Sequence, residues 1–532
     1  MFREFNYDTQ PVVEIVNEII ADAVKNRASD IHFDPTPDKL KVRMRIDGDL
    51  VDYAYVPEVL KKNLTTRIKI ISGMNITESR LPQDGAIKTE LDGRPLDMRV
   101  SSLPIVDGEK VVIRVLDYST SLKGIENIGI SDVNLEKIKR MLDLPNGIIL
   151  TTGATGSGKS TTTYAMLSEL NKPEINIITV EDPVEMKIEG LNQVQTMSEI
   201  GLTFAAALRS ILRQDPDVIM IGEIRDDETA RIAVRSAITG HLVVSTIHTN
   251  NALNTIERLL DMDIERYLLG TAISGIISQR LAKMLCTKCR GSRPATPYEK
   301  LVIRKAIGIE IDNLYTAIGC PECIGGYRGR IPVHEVLEVD QEIKDAITNN
   351  TPKEELRHIV YGNGKTITLL QDGLKKVVNG LTSFEEILRI IDIESDFGDD
   401  TDGEMRLALM GKLDVDENGY VIGKPKEEQD ADAHFVKITL PANDNVSPNT
   451  IEQPVIEGPA EEEPVKPDPT PAMAAQAAVT PVPAPEEPKP QPEYTEDGYE
   501  IPTEEALSIN QGAFGNLDDI SLDDFDFDDD DE

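Results

Sequence analysis

The segment that most restricts the fold of this chain is Gly153-Ala154-Thr155-Gly156-Ser157-Gly158-Lys159-Ser160, which satisfies GxxxxGK[ST] at every fixed position. That pattern holds phosphate only where a strand runs into a glycine turn and the turn opens a helix. Both flanks are present. Gly147-Ile148-Ile149-Leu150 reads as a buried strand, and a helix is expected to begin near Thr161, which completes the phosphate-contacting run. The glycines let backbone N–H groups turn inward, and the helix N-terminus adds a favourable dipole. Lys159 is placed to neutralise β/γ-phosphate charge and the Ser160 hydroxyl to hold Mg²⁺. The expected ligand is ATP with Mg²⁺.

A phosphate loop alone implies binding. Turnover needs an acidic group on a neighbouring strand, and Asp217-Val218-Ile219-Met220-Ile221-Gly222-Glu223 has that form. The apolar run is the strand, and Glu223 emerges at its end, where a carboxylate can orient attacking water. Glu181-Asp182-Pro183-Val184-Glu185 follows a second such run, Ile175 to Val180, and is expected to reach the same crevice and hold Mg²⁺ or water. Leu242 to Thr246 is a third. Short apolar runs alternating with helices suit a mainly parallel sheet covered on both faces. Arg209, Arg213 and Arg225 flank the acidic strand, and Arg99 and Arg114 lie on strands upstream. Phosphoryl transfer gains from cations brought to the γ-phosphate.

The rest of the chain divides by pattern. Val12, Val13, Val16, Ile19, Ile20 and Val24 recur at helical spacing, and Leu40, Val42, Met44 and Ile46 alternate as a strand before an Asp47-Gly48 hairpin turn. Residues 1–117 therefore form a small α+β (PAS-like) domain, 118–145 a helical connection and 146–279 the ATPase core. Residues 280–392 are expected to be mainly helical around a cysteine module. From residue 391 onward there are 39 Asp+Glu against 7 Lys+Arg, a net of −32 out of −39 for the chain. That stretch is rich in Pro and Ala, so 393–532 is expected to be a largely disordered acidic tail. The acidity argues against nucleic acid or an anionic membrane surface as its partner. Ile520 to Phe527 interleaves apolar and acidic residues in the manner of a docking peptide. Glu417-Asn418-Gly419-Tyr420-Val421-Ile422 is echoed by Glu496-Asp497-Gly498-Tyr499-Glu500-Ile501. Asp414 to Gly419 looks like the start of a calcium loop, but its twelfth position is Pro425 rather than Glu, so a turn at Asn418-Gly419 is the better reading.

The four cysteines are Cys286, Cys289, Cys320 and Cys323. Two CxxC pairs some thirty residues apart suggest a tetrahedral four-thiolate Zn²⁺ site, closed and therefore structural. No run approaches about 18 apolar residues, so no transmembrane helix is expected, and Met1 to Phe5 lacks the form of a signal peptide. A cytoplasmic protein is expected, with any membrane role peripheral and through a partner.

Taken together, these motifs resemble the ATPases that assemble type IV pili and power type II secretion, over roughly residues 10–390. The resemblance rests on Ala28 to His32, Arg43 to Gly48, Leu81 to Gly85, Arg99 to Ser102, the phosphate loop, Glu181-Asp182-Pro183 and Gly222 to Asp226. Thr239 to Leu242 and Ser245 to Asn250 complete it. It implies a homohexamer whose subunits join an N-terminal domain flexibly to a RecA-like P-loop domain and act on an inner-membrane platform protein, which makes the inner membrane the place of that peripheral role. It implies Glu223 as the catalytic carboxylate, Arg209, Arg213 and Arg225 around the site, and Arg99 and Arg114 approaching on closure. His241 and His248 fall in its histidine box. Assembly and secretion members carry the cysteine module, and retraction members lack it. Members usually carry a further domain before the helix that starts here near residue 10, and often a basic residue where Ala86 follows Asp84-Gly85. Three other readings are a conjugative or type IV secretion ring ATPase, a non-catalytic nucleotide-gated scaffold and a zinc-containing nucleic-acid module. The last lacks a dense Lys/Arg stripe with interleaved aromatics.

Overall fold

A computed structural model describes residues 2–391 apart from 92–93, 117–123 and 363, together with 407, 410, 412–422, 424 and 436–438. The second copy of the tail motif and the terminal docking peptide lie outside the described residues.

The first layer is a six-stranded sheet ordered β3-β2-β1-β6-β5-β4. Its strands are β1 (Ala28–Pro35), β2 (Lys39–Ile46), β3 (Asp49–Pro57), β4 (Gln83–Leu91), β5 (Arg94–Ile105) and β6 (Gly108–Leu116), with α1 (Val12–Lys25) and α2 (Glu58–Ile71) beside them. The alternation Leu40, Val42, Met44, Ile46 puts all four side chains inside. They pack with Ile15, Val16 and Ile19 from the apolar stripe of α1 and Leu64 and Ile68 of α2. Asp47 and Gly48 both have positive φ, 50° and 98°, as a two-residue hairpin turn requires.

The second sheet has seven strands in the order β16-β12-β7-β11-β10-β8-β9. These are β7 (Gly147–Thr152), β8 (Ile177–Glu181), β9 (Asn192–Gln195), β10 (Val218–Ile221), β11 (Leu242–Ile247), β12 (Ile273–Leu285) and β16 (Tyr327–Glu338). All but β16 run parallel to their neighbours. β7, β8, β10 and β11 are buried along their whole length, which is why they read as unbroken apolar runs. The helices around them are α3 (Asp132–Leu142), α4 (Lys159–Leu170), α5 (Phe204–Ile211), α6 (Asp227–Ile238), α7 (Ala252–Asp261) and α8 (Arg266–Ala272).

The remainder departs from the sequence expectation in two ways. The expected core boundary at 279/280 falls inside β12, whose 13 residues continue the sheet and then pair with β16 as an antiparallel ribbon. The region also holds strands among its helices, which remain the larger share. Beside α9 (Pro297–Ile307), α10 (Gln341–Thr348), α11 (Lys353–Tyr361), α12 (Leu369–Val378) and α13 (Phe384–Ile390), it holds β13 (Gly291–Pro294), β14 (Ile309–Ile311) and β15 (Asn313–Thr316). Capping boxes, Thr296 with Glu299 and Thr368 with Gln371, start α9 and α12.

The tail expectation is corrected at its near end. Residues 412–422 pack against α9, with Val421 buried and the Arg304 guanidinium 3.7 Å from the centre of the Tyr420 ring. Arg304 also donates to the Gly419 carbonyl at 2.7 Å. The turn is where the sequence placed it: Gly419 has φ 78° and its N–H bonds Asp416 O at 2.9 Å. A further strand, β17 (Val436–Ile438), pairs in parallel with β14. The apolar residues Leu413, Val415 and Val421 supply the packing energy that composition averaged over 140 residues conceals. Among the described residues, no helix is long and apolar enough to cross a membrane.

Candidate functional site

The carboxyl ends of β7, β8, β10 and β11 form one edge, where an open parallel sheet binds its ligands. At β7 the chain turns through Gly153 (φ 146°), Gly156 (φ 78°) and Gly158 (φ 91°) into α4. A Cβ on Gly153 would overlap the Gln279 carbonyl, and one on Gly158 would stand 2.6 Å from the Gln279 amide nitrogen. α4 has no side-chain cap, so its first N–H groups are open to a phosphate. It starts at Lys159, two residues ahead of the expected Thr161. Ser160 is exposed at its first turn, and the Ser157 hydroxyl is buried without a hydrogen-bond partner. This glycine cradle with an orphaned hydroxyl and an uncapped helix fits a nucleotide phosphate chain. Lys159 lies back over the loop, its ammonium donating to Gly153 O at 2.8 Å and Ala154 O at 3.2 Å. Burial pulls its pKa below the ordinary lysine value, and the Glu223 carboxylate opposes that shift.

Glu223 is aimed by its neighbours. Gly222 N–H bonds Val180 O at 2.8 Å, and a Cβ there would crowd the Glu181 backbone. Thr246 Oγ1 donates to Gly222 O at 2.8 Å, and Ile224 N–H bonds Thr246 O at 2.9 Å. Asp226 then caps α6, accepting from Thr229 N at 2.8 Å. Held on both sides, Glu223 pairs with Arg225 and stands 3.4 Å from His248 Nε2. The carboxylate raises the Arg225 pKa. Burial, then the Lys159 charge, pull the His248 pKa below its ordinary value. His248 itself is set by the end of β11, where Thr249 N–H bonds Thr152 Oγ1 at 3.0 Å.

Glu181 has a different setting from the expected open carboxylate. It is 3 % exposed, accepts from Thr179 Oγ1 at 2.6 Å and Gln193 Nε2 at 3.1 Å, and takes a third bond from the Tyr164 hydroxyl. The Tyr164 oxygen in turn accepts from Glu185 N–H at 3.3 Å, so it fastens the acidic segment to α4. Arg99 reaches that segment from the first sheet, donating to Val184 O at 3.2 Å and pairing with Glu185 at 3.0 Å. Arg114 is its cross-strand partner on β6, held by Asp30 at 3.1 Å.

Arg209, Arg213 and His241 also find partners other than Glu223. Arg209 pairs with Glu228, and Arg213 donates to Arg209 O at 2.7 Å, both from the α5 side. His241 precedes β11, with Nδ1 3.0 Å from Ser236 O, whereas His248 follows it. The strand between them spans about 20 Å, so the two histidines stand at opposite edges of the sheet.

The four cysteines meet. Cys286 follows β12, and its sulfur is 4.0 Å from that of Cys320. Cys289 and Cys320 each stand 3.6 Å from Cys323. A tetrahedral site with Zn–S near 2.3 Å needs sulfurs about 3.8 Å apart, so the cluster is compatible with zinc.

With this geometry in view, comparison places the chain. The family described as "Type II/IV secretion system protein" matches residues 6–389. The chain belongs to this family. Among its secretion and pilus ATPases, the chain is 44 % identical over 384 residues to "Type II secretion system protein E" of Pectobacterium carotovorum subsp. carotovorum, covering 72 % of this chain and 76 % of that one. It is 45 % identical over 388 residues to "Type IV pilus assembly ATPase PilB" of Myxococcus xanthus, covering 72 % and 68 %. The solved structure of the Legionella pneumophila ATPase DotB superposes with TM-score 0.55 at 21 % identity, covering 72 % and 96 %, a likeness of fold. Within this secretion ATPase family, the acidic tail after residue 389 lies outside the match.

Two site features escaped the sequence reading. Gln279 bonds the phosphate loop from 122 residues away, and Tyr164 bridges α4 to the acidic segment. The signal for Gln279 was a polar side chain inside an apolar strand run, Ile276-Ile277-Ser278-Gln279.

Proposed function

We propose that this chain is an ATP-hydrolysing motor of type IV pilus assembly or type II-like secretion. The reading is carried by one juxtaposition: Glu223, held by Arg225 and His248, lies within electrostatic reach of Lys159 at the open end of a phosphate loop. Lys159 and the α4 N-terminus would hold the β- and γ-phosphates, and the Ser160 hydroxyl would hold Mg²⁺. The ion when bound supplies positive charge at the phosphates. Glu223 orients a water in line with the γ-phosphorus and takes up its proton as the P–O bond to the leaving ADP breaks. His248, depressed toward its neutral form, leaves the Glu223 charge unquenched. Beside Lys159, Arg225, paired with Glu223, and Arg99, which reaches the Val184–Glu185 segment, would meet the charge that develops on the γ-phosphoryl oxygens, while Arg209, Arg213 and Arg114 would act from a neighbouring subunit or on closure of the first domain. Glu181 supports the site by fixing Tyr164.

In this reading six subunits form a ring at the cytoplasmic face of the inner membrane, held there by a platform protein. ATP binding closes the first domain on the second through the Arg99 contact. Release reopens it, and firing around the ring turns the platform. The four thiolates hold a structural Zn²⁺. The tail serves as an arm for a basic partner. The test is turnover by the full chain. Lys159→Ala is expected to abolish ATP hydrolysis, and sedimentation with a non-hydrolysable ATP analogue is expected to give a hexamer. Unchanged hydrolysis in Lys159→Ala would refute the assignment.

A further inference from the structure

The second half of the chain touches the phosphate loop through Gln279. This residue is 2 % exposed and directly follows Ser278, the last β12 residue paired with β7. Its amide nitrogen donates to Ser157 O at 2.7 Å, and its amide oxygen accepts from Thr162 Oγ1 at 2.6 Å. One side chain thus bonds both the loop and the helix it opens. The glycines at 153 and 158 are fitted to Gln279, because a Cβ at the first would overlap its carbonyl oxygen and one at the second would stand 2.6 Å from its amide nitrogen.

Past Gln279, β12 leaves β7 and runs as a ribbon with β16, from Arg280 opposite Val333 to Leu285 opposite Tyr327. Cys286 follows one strand, and Cys320 and Cys323 precede the other, so the four thiols staple the free end of the ribbon. Lys288 and Arg328 both pair with Glu322 across the two cysteine loops. The first domain seats on the same end: Asp47 accepts from Gly329 N–H at 2.7 Å, and Asp49 pairs with Lys283. Cys286 is seven residue steps on from Gln279, about 23 Å of extended chain. A paired ribbon is stiff along its length, and a shift of about 1 Å along β12 carries both Gln279 bonds out of good geometry.

We propose that Gln279 is a positioning residue for the phosphate loop, and that the β12–β16 ribbon carries to it the state of the four-cysteine staple. The proposal rests on the reading of residues 153–160 as the nucleotide site, and the experiment separates the two. Affinity of the full-length, zinc-loaded chain for a fluorescent ADP is measured in wild type, Lys159→Ala, Gln279→Ala and Gln279→Glu. Binding by wild type that Lys159→Ala loses supports the site itself; no binding by wild type overturns both ideas. Gln279→Ala is expected to weaken binding roughly tenfold and to speed hydrogen exchange at amides 154–158. Gln279→Glu, which keeps an acceptor for Thr162 but sets a carboxylate against the Ser157 carbonyl, is expected to do no better. Replacing Zn²⁺ by the larger Cd²⁺ widens the staple in a folded chain. The exchange is expected to change ADP affinity in wild type and leave Gln279→Ala unmoved. Equal affinity in wild type and Gln279→Ala overturns the positioning role. An equal response of both to Cd²⁺, or none in wild type, overturns the link to the staple.

Discussion

Glu181 and Glu223 follow neighbouring strands of one sheet, yet their surroundings give them different work. Glu223 stands within electrostatic reach of Lys159 on the phosphate loop. Glu181 spends its oxygens on Tyr164, Thr179 and Gln193. Removing a carboxylate that satisfies buried donors costs about 2–4 kcal/mol, so Glu181→Ala is expected to lower stability by that much in urea denaturation. Full stability with lost turnover would instead place Glu181 on the metal or water. His334 gives a second residue-scale prediction. It is fully buried, with neither ring nitrogen bonded, and burial pushes its pKa down from 6.5 to about 4, with Asp372 opposing and Lys376 adding. The unfolded chain therefore binds a proton that the folded one refuses. Stability is full above pH 6.5 and falls as the pH drops toward 4, by roughly 3 kcal/mol in all. Denaturation at pH 7 and pH 4.5 should show a steeper loss in wild type than in His334→Leu. At this scale the sequence was most legible where spacing is fixed. The loop from Gly153 to Ser160 and Glu223 after its strand both follow from local geometry. Gln279 did not, because its partners are distant in the chain. Arg209, Arg213 and His241, placed at the site by the resemblance, find other partners within one chain: Glu228, the Arg209 carbonyl and the Ser236 carbonyl.

The buried parallel strands β7, β8, β10 and β11 were plain as apolar runs. β12 was not, because its outer half sets two half-buried residues before each buried one and so lacks the period of two that marks a strand. The strap at 412–422 was hidden by the acids around it. Its contacts make a definite claim. Val421→Ala is expected to cost about 1–3 kcal/mol and to speed hydrogen exchange in α9, and a chain ending at 411 should melt lower than one ending at 438. Identical melting of the two truncated chains would mean that the strap adds nothing to the fold. The domain contact at Arg99 predicts the opposite balance. A partly exposed ion pair is worth about 0–1 kcal/mol, so Arg99→Ala should leave the melting temperature nearly unchanged while lowering kcat for ATP.

For the whole molecule, two folded layers meet along the Arg99 contact and the Asp47 turn, and the cysteine staple sits beside the latter. Metal analysis of the purified chain should find one zinc per subunit, and its removal by chelation should lower the melting temperature. The family match covers this body and stops at residue 389, and the acidic stretch lies beyond it. The central claim is that Glu223 converts bound ATP into ADP and phosphate. Phosphate release by the full chain at saturating Mg-ATP, compared with Glu223→Gln, tests it most directly. The account predicts steady turnover in wild type and a loss of about a hundredfold or more in Glu223→Gln, with fluorescent-nucleotide affinity retained. Turnover in Glu223→Gln equal to wild type would contradict it.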